Sequence, residues 1–195
     1  SQTRVAAAPC CKCNPGGQTE GQPLADKLKA RLDVFAEIRS AGSLNPVQNS
    51  GGWEEITWTV DSGASSTVIH PNTARQYDAQ ESVASKAGVC YQIANGTSLP
   101  NLGEKRMAIM TEEGTIRSLT GQLADVSSNL LSVRAMCKNN HTVVFDGDGS
   151  YAYNKHTGEC NWFHDDGVNY TMKQLIIPPD KLGAVMEASG FPRQA

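Results

Sequence analysis

The amino-acid sequence predicts a mostly β domain over residues 53–178, preceded by a tail that carries one helix and followed by a short helical tail over 179–195. Three observations predict this fold class. From residue 53 onward, apolar residues alternate with polar ones, which is the period of a β-strand. The later apolar segments are short, and turns that contain glycine separate them. The chain has 195 residues, a length that suits one well-buried domain with tails.

The tail over residues 1–52 contains one segment with helical periodicity. Residues 1–23 are rich in Gly, Pro, Gln and Ala without any period, which is typical of a linker. Residues 24–40 follow the spacing of a helix with one apolar face, and Gly42 ends it. Such a helix either lies on the domain that follows or makes residues 1–40 a binding segment for a partner protein. Its apolar face consists of Leu24, Leu28, Leu32, Phe35 and Ile38.

The elements of the domain follow from its apolar segments. The first strand carries Ile56, Trp58 and Val60 on one face, and the chain then runs directly into Asp61. The Glu-Glu-Gly sequence at 112–114 predicts a hairpin turn between two longer segments. The two hairpin strands are predicted over 105–110 and 115–126, a short helix through 136–137, further strands over 142–146, 150–154, 160–163 and 170–177, and a last helix over 180–189.

Charge and hydropathy exclude several classes of function. A net charge of −3 with 19% charged residues gives no electrostatic preference for nucleic acid or for acidic membranes. No run of about 18 apolar residues and no secretory signal pattern is present, so no membrane span is predicted.

Because the chain begins with Ser1, we expect a piece of a longer protein. We expect a cytoplasmic location by default, with an organellar one as the alternative if a targeting segment was removed before Ser1.

Metal sites and cofactors are not predicted. Three of the six cysteines lie between Cys10 and Cys13, without the four ligands or the Cys-x2-Cys spacing of a zinc site. We expect reduced thiols there, and the alternative is a metal shared with a partner. Residues 146–150 resemble the start of a calcium loop, but Tyr151 and Thr157 occupy the positions that need Gly and Glu. A hairpin turn is therefore predicted there, and no cofactor is expected.

Asp61 is the best candidate for a catalytic residue because of the turn that follows it. The strand holds the backbone, and Gly63 lets the chain turn closely enough to expose the carboxylate. Peptide hydrolysis by this route needs two carboxylates that share one proton, one to activate water and one to protonate the substrate. The sequence has no second Asp-Ser-Gly or Asp-Thr-Gly. A protease of this kind would therefore be a twofold homodimer in which each copy supplies one Asp61.

The order of the motifs around Asp61 resembles the retropepsins, the aspartic protease domains of copia-type retrotransposon polyproteins. The resemblance covers about residues 53–177. One departure lies at Ser127-Ser128, where retropepsins usually carry a glycine. The segments that carry the resemblance are Trp58-Thr59-Val60-Asp61-Ser62-Gly63-Ala64-Ser65-Ser66, the stretch 93–104, the stretch from Asp125 to Val133, and the strand from Val143 to Asp146.

The resemblance implies a retropepsin-like closed β-barrel in which Asp61 is the catalytic aspartate. The turn residues Ser62, Gly63 and Ala64 would support it. Ser62 would lock the turns of two copies together across the dimer, and Gly63 would face the substrate.

The resemblance also assigns roles to segments farther along the chain. A flap hairpin formed by Ala94-Asn95-Gly96-Thr97 would close over an extended peptide. Asn129, Leu130 and Leu131 would pack beneath the active-site turn. The strand over 170–177 is the candidate for the dimer interface.

The function that the resemblance implies is an aspartic endopeptidase that acts as a homodimer on a peptide or polyprotein substrate, without a cofactor. The alternative is a domesticated, non-catalytic retropepsin-like subunit that serves as a structural or interaction module in a larger assembly. One copy of the chain has one Asp-Ser-Gly, so a single copy held in an assembly would be inert even with Asp61 intact.

Overall fold

The computed structural model describes residues 52–93 and 96–189. The predicted helix over 24–40, the three N-terminal cysteines and the first two residues of the predicted flap, Ala94 and Asn95, lie outside the described residues. The described strands are β1 (Glu54–Asp61), β2 (Val68–Ile69), β3 (Cys90–Gln92), β4 (Ser98–Pro100), β5 (Glu104–Thr111), β6 (Ile116–Leu123), β7 (Asn129–Ser132), β8 (His141–Val144), β9 (Tyr151–Asn154), β10 (Cys160–Trp162), β11 (His164–Asp165) and β12 (Tyr170–Ile176). The described helices are α1 (Val83–Lys86), α2 (Val133–Lys138) and α3 (Leu182–Ala188).

Six of these strands close into a barrel. β1 pairs in parallel with β7 and antiparallel with β12, so both of its edges are used. From β7 the ring continues through β2, β6 and β5 and returns to β12. β11 pairs with β12 beyond the ring and extends this sheet. The prediction of a mostly β domain with a closed barrel is therefore confirmed.

The barrel interior is filled by the apolar face of β1 and by the strands around it. Ile56, Trp58 and Val60 all lie in this core, as their alternation predicts. Trp58 is fully buried, and its indole Nε1 donates a hydrogen bond of 2.8 Å to Oε1 of Gln174. The indole is thus buried with its N–H paired. The other buried members of this core are Ile69, Ala74, Met107, Ile109, Leu123, Leu131, Ala152, Phe163, Met172 and Ile176.

A second apolar cluster lies on the opposite face of β5 and β12. There Met110 and Leu175 are covered by Leu182 and Val185 of α3. The helix predicted over 180–189 is thus present and packs on the barrel. Across the described residues, no helix has the length and apolar character needed to cross a membrane.

The antiparallel sheet β8–β9–β10 packs against the barrel, since Ala152 of β9 is buried in the same core as Trp58. The three strands predicted over 142–163 are therefore confirmed, with ends that differ by one or two residues. The predicted turn after β8 is also confirmed. Gly149 N donates to the Asp146 carbonyl at 3.2 Å, and Ser150 Oγ donates to the same carbonyl at 3.1 Å.

Lys105 of β5 is a buried cation that fixes the loop after β2. Its side-chain nitrogen donates to the carbonyl oxygens of Pro71, Thr73 and Ala74, at 2.9, 2.8 and 3.2 Å. Burial lowers the pKa of Lys105 from its ordinary value, against the opposing effect of the Glu54 carboxylate. These hydrogen bonds satisfy carbonyls of an irregular segment packed on the barrel, where the Ala74 carbonyl also accepts from Tyr77 N at 3.0 Å.

The position of β12 bears on the prediction for the dimer interface. Gln174, Leu175 and Ile176 pair with β1 on one edge and with β5 on the other. A strand that is hydrogen-bonded on both edges cannot accept another strand at those residues. This part of β12 therefore forms barrel wall, and the role of 170–177 in a dimer interface stays a prediction.

Candidate active site

Asp61 is the last residue of β1, at the point where the strand leaves the barrel wall. Its carboxylate is partly exposed, and Oδ1 accepts a hydrogen bond of 2.6 Å from the backbone N–H of Gly63. A Cβ on residue 63 would lie 3.3 Å from Oδ1, closer than most side-chain contacts, so glycine eases this approach. Ser62 and Gly63 are exposed, and Ala64 is half-buried. The turn thus presents one fixed carboxylate at the surface.

Ser132 holds the turn from below. It lies beside Asp61 in the parallel pairing of β1 and β7, and it is fully buried. Its hydroxyl donates to the Ala64 carbonyl at 2.6 Å, and the same oxygen accepts from Ala135 N at 3.1 Å as the N-cap of α2. Its backbone N–H donates to Oγ1 of Thr67 at 3.3 Å. The role of Ser132 was not predicted, although it directly follows the Asn-Leu-Leu sequence.

The structure brings the predicted packing residues next to the turn. Asn129, Leu130 and Leu131 form most of β7, which lies beside β1 over Trp58 to Asp61. Leu131 is in the barrel core, and Leu130 lies at the wall of the adjacent cleft. Oδ1 of Asn129 accepts hydrogen bonds of 3.2 Å from His70 N and from Oγ1 of Thr73. β7 therefore anchors both the Asp61 turn and the loop after β2.

A cleft of about 820 Å³ opens beside Asp61. The turn from Gly63 to Ser66 lines it, together with β3 and the first two residues of α1. Asp61, Glu81 and Glu104 are the carboxylates that line it. The aliphatic side chains that line it are Ala64, Val68, Val83, Ala84, Val89, Ile93, Val126 and Leu130. A mixed lining of this kind, with a partly exposed carboxylate at one side, is typical of a binding cleft.

The tip of the β3–β4 hairpin contains the predicted flap. Ile93 N donates to the Thr97 carbonyl at 3.0 Å, and Gly96 N donates to the Ile93 carbonyl at 2.9 Å. Gly96 has a φ of 86°, in the left-handed region that favours glycine. Ile93 lines the cleft, whereas Gly96 and Thr97 are not among the lining residues. In the described part of the hairpin, the cleft is therefore lined from β3 and Ile93.

The base of the hairpin carries a hydrogen-bond network that the sequence did not reveal. Nδ2 of Asn101 donates to the Tyr91 hydroxyl and to Oε1 of Gln122, both at 2.8 Å. Nε2 of Gln122 donates to Oε2 of Glu104 at 2.7 Å. Burial raises the pKa of Tyr91, against the lowering effect of its hydrogen bonds to Asn101 and Ser66.

The chemistry available in one copy of the site is incomplete. Within residues 52–93 and 96–189, no second carboxylate is hydrogen-bonded to Asp61, and no group of His, Cys, Asp and Glu side chains is arranged to hold a metal ion. Glu104 is bonded to Gln122, and Glu81 forms an ion pair of 3.4 Å with Lys86. No known family model matches the sequence, and no curated protein matches it either. What the site can do is therefore inferred from its own geometry.

We expect Ser132→Ala to disturb the site more than it disturbs the fold. The substitution removes the hydrogen bond to Ala64 and the cap of α2, so the free energy of unfolding should fall by about 1–3 kcal/mol. The released turn should also raise the amide exchange rate of Gly63, whose N–H is bonded to Asp61. Chemical denaturation and hydrogen exchange measure the two effects.

Ser150→Ala is the matched control for Ser132→Ala. Ser150 is also buried, and its hydroxyl bonds both the carbonyl and the N–H of Asp146, away from the cleft. In the Ser150→Ala variant, the free energy of unfolding should fall by a similar amount, and the amide exchange rate of Gly63 should stay at its wild-type value. Equal exchange at Gly63 in the two variants would contradict the role assigned to Ser132.

Proposed function

We propose that the protein is a retropepsin-like aspartic endopeptidase that is active as a homodimer. The observation that carries the proposal is the position of Asp61. It ends a strand of the barrel wall, its carboxylate accepts a hydrogen bond from Gly63 N, and it lines a cleft of about 820 Å³ that β3 of the hairpin also lines. A fixed carboxylate at the edge of a peptide-sized cleft is suited to acid–base chemistry on a bound amide.

The dimer follows from the chemistry of that carboxylate. Two carboxylates that meet at a twofold axis share one proton, because both cannot be charged at such short range. The ionised one takes a proton from water as the water attacks the peptide carbonyl, and the protonated one donates to the carbonyl oxygen. The exposed face of Ser62 and Gly63 is the surface through which a second copy would bring its own Asp61.

The hairpin suits an extended peptide as the substrate. In the described part of the chain, β3 and β4 pair only with each other, so each strand keeps an outer edge with free backbone groups. An extended peptide can bind to such an edge as an added strand. The apolar residues that line the cleft, among them Val89 and Ile93, would receive the peptide's apolar side chains.

A second candidate function is a non-catalytic interaction module. The observation that favours it is that, among the described residues, the Asp61 carboxylate is hydrogen-bonded to its own turn and to no other acid. A copy held by a different protein would keep the cleft as a binding surface and would not hydrolyse peptides. The two functions differ in oligomeric state and in activity.

The test is peptide cleavage by a sample of known oligomeric state. We expect a dimer in sedimentation, cleavage of a peptide library at acid pH, and inhibition by a statine-type inhibitor that mimics the tetrahedral intermediate. A demonstrably dimeric sample that cleaves no peptide at any pH would refute the protease and favour the interaction module.

A further inference from the structure

The outer edge of β6 is open over residues 116–121. On its inner edge, β6 pairs antiparallel with β5 along almost its whole length. On its outer edge, β2 pairs with it only at Gln122 and Leu123, so within the described residues no strand lies beside the first six residues of β6. An open strand edge presents unpaired backbone groups with which another strand can pair.

The register shows which backbone groups point outward. In an antiparallel pair, alternate residues of a strand bond to the partner strand, and the residues between them point away from it. Leu123 N donates at 2.8 Å to the carbonyl that directly precedes β5, whereas Gln122 N donates at 2.9 Å to Thr67 on the outer side. The even-numbered residues therefore face outward. No hydrogen bond joins the backbone of Ser118 or Thr120 to another described residue on that side.

This open edge forms one side of a groove of about 500 Å³. Residues 117–120 all line it. Because consecutive side chains of a strand point to opposite faces, a lining of four consecutive residues shows that the groove runs along the edge of β6. The barrel, α2 and the sheet β8–β9–β10 contribute the rest of the lining, among them Ile109, Met172, Ala135, Met136, Ala152 and Asn161.

Asn161 of β10 directs a side-chain amide toward the barrel at this groove. It lies directly across from Ala152 of β9, whose side chain is in the barrel core, so both side chains are on the face toward the barrel. Asn161 is 8% exposed, and its amide is hydrogen-bonded to no described residue. Buried amides are nearly always hydrogen-bonded, so this one is suited to a ligand that offers both a donor and an acceptor.

The charges around the groove favour an acidic ligand over a basic one. Arg106 and Arg117 line it, and no carboxylate of the described residues does. Arg117 forms an ion pair with Glu159, which is not among the lining residues. Arg106 is exposed, and Nε donates to Ser118 Oγ at 3.3 Å, which leaves its terminal nitrogens available to a carboxylate.

We propose that this groove binds an extended, acidic peptide segment of another protein, which adds to the open edge of β6 as a strand. The backbone groups of Ser118 and Thr120 pair with the peptide backbone, and the Asn161 amide bonds a further peptide group. Arg106 attracts the acidic side chain. The groove shares no lining residue with the Asp61 cleft, so this site does not depend on catalysis there.

Amide hydrogen exchange with a defined peptide pool tests the pairing. The probe is a pool of acetylated and amidated hexapeptides of Val, Thr and Glu, in which Val and Thr favour the extended form and Glu supplies the negative charge. At saturation the amides of Ser118 and Thr120 should exchange at least about tenfold more slowly than in the free protein. The amides of Arg117 and Leu119 face β5 and are the internal reference, so their exchange should change less.

Two variants at one position separate the backbone from the side chain. Thr120→Pro removes the outward N–H and leaves the ladder with β5 intact, since proline is tolerated where an edge N–H faces away from the sheet. Thr120→Ala is the matched control, because it loses the same side chain and keeps the N–H. Thr120→Pro should weaken binding of the pool by about tenfold, and Thr120→Ala should bind as wild type does. Circular dichroism shows that both variants are folded.

Several results would overturn the proposal. One is an unchanged exchange rate at Ser118 and Thr120 in wild type with the pool, and another is equal affinity of the pool for the two Thr120 variants. A pool methylated on alternate backbone nitrogens, or one with Lys in place of Glu, should bind more weakly; equal binding of the first refutes strand addition, and of the second the acidic preference. Protection that rises with protein concentration without peptide would show that a second copy occupies the edge instead.

Discussion

Asp61→Asn is expected to remove peptide cleavage and to leave the fold intact. Asparagine has nearly the same shape, and its side-chain oxygen can still accept the hydrogen bond from Gly63 N. It cannot carry the proton that the reaction moves. The rate should fall by at least about 10²- to 10⁴-fold, the contribution of a positioned acid or base. Steady-state cleavage, together with circular dichroism to show an unchanged fold, measures this result.

Asp165→Asn is the control, because Asp165 makes the same local contact elsewhere. Its Oδ1 accepts from the N–H of Gly167 two residues later at 2.8 Å, as Asp61 does with Gly63. Asp165 is exposed and does not line the cleft. Cleavage should therefore be unchanged in this variant. Residual cleavage of more than about a tenth in purified Asp61→Asn would contradict the catalytic role, since a missing acid or base costs more.

Trp58→Ala is expected to cause the largest loss of stability of any single substitution proposed. Trp58 is fully buried at the centre of the barrel core, three residues before Asp61. Its removal leaves a large cavity and an unpaired Oε1 on Gln174, and a change of this kind costs about 3–5 kcal/mol. Urea denaturation followed by circular dichroism measures it as a lower midpoint with an unchanged slope.

Two further variants make this prediction specific. Trp58→Phe keeps most of the apolar area but loses the hydrogen bond to Gln174 and leaves a smaller cavity than alanine does, so its free energy of unfolding should fall by about 1–3 kcal/mol. Trp162 is 40% exposed and contacts Tyr151 edge-on at 5.3 Å, so Trp162→Ala should lose about 0.5–1.5 kcal/mol. A Trp58→Ala variant no less stable than Trp162→Ala would contradict the core assigned to β1.

The parts of the fold that the sequence predicts are those with a local signal. The alternation of Ile56, Trp58 and Val60 predicts both the first strand and the face that it buries. The Glu-Glu-Gly turn predicts the hairpin of β5 and β6, because its strands are neighbours along the chain. The turn residues at 61–64 are also local, and a short motif therefore indicates them.

The contacts that complete the site have no local signal. Ser132 bonds Ala64 across 68 residues, through a parallel pairing that only the closed barrel creates. β2 has two residues, too few for any period. The apolar alternation of β12 predicts a strand but not its neighbours, which are β1 and β5 in the barrel wall. Tyr91 gives no local signal, because its hydroxyl is bonded by Asn101, ten residues farther along the chain.

The most direct test of the shared active site mixes wild-type chains with Asp61→Asn chains at constant total concentration, after the copies have exchanged. If both carboxylates of a twofold dimer are needed, activity follows the square of the wild-type fraction, and an equal mixture retains about a quarter of the activity. A straight-line dependence, with about half of the activity in the equal mixture, would show that each copy acts alone and would contradict a site built from two Asp61 carboxylates.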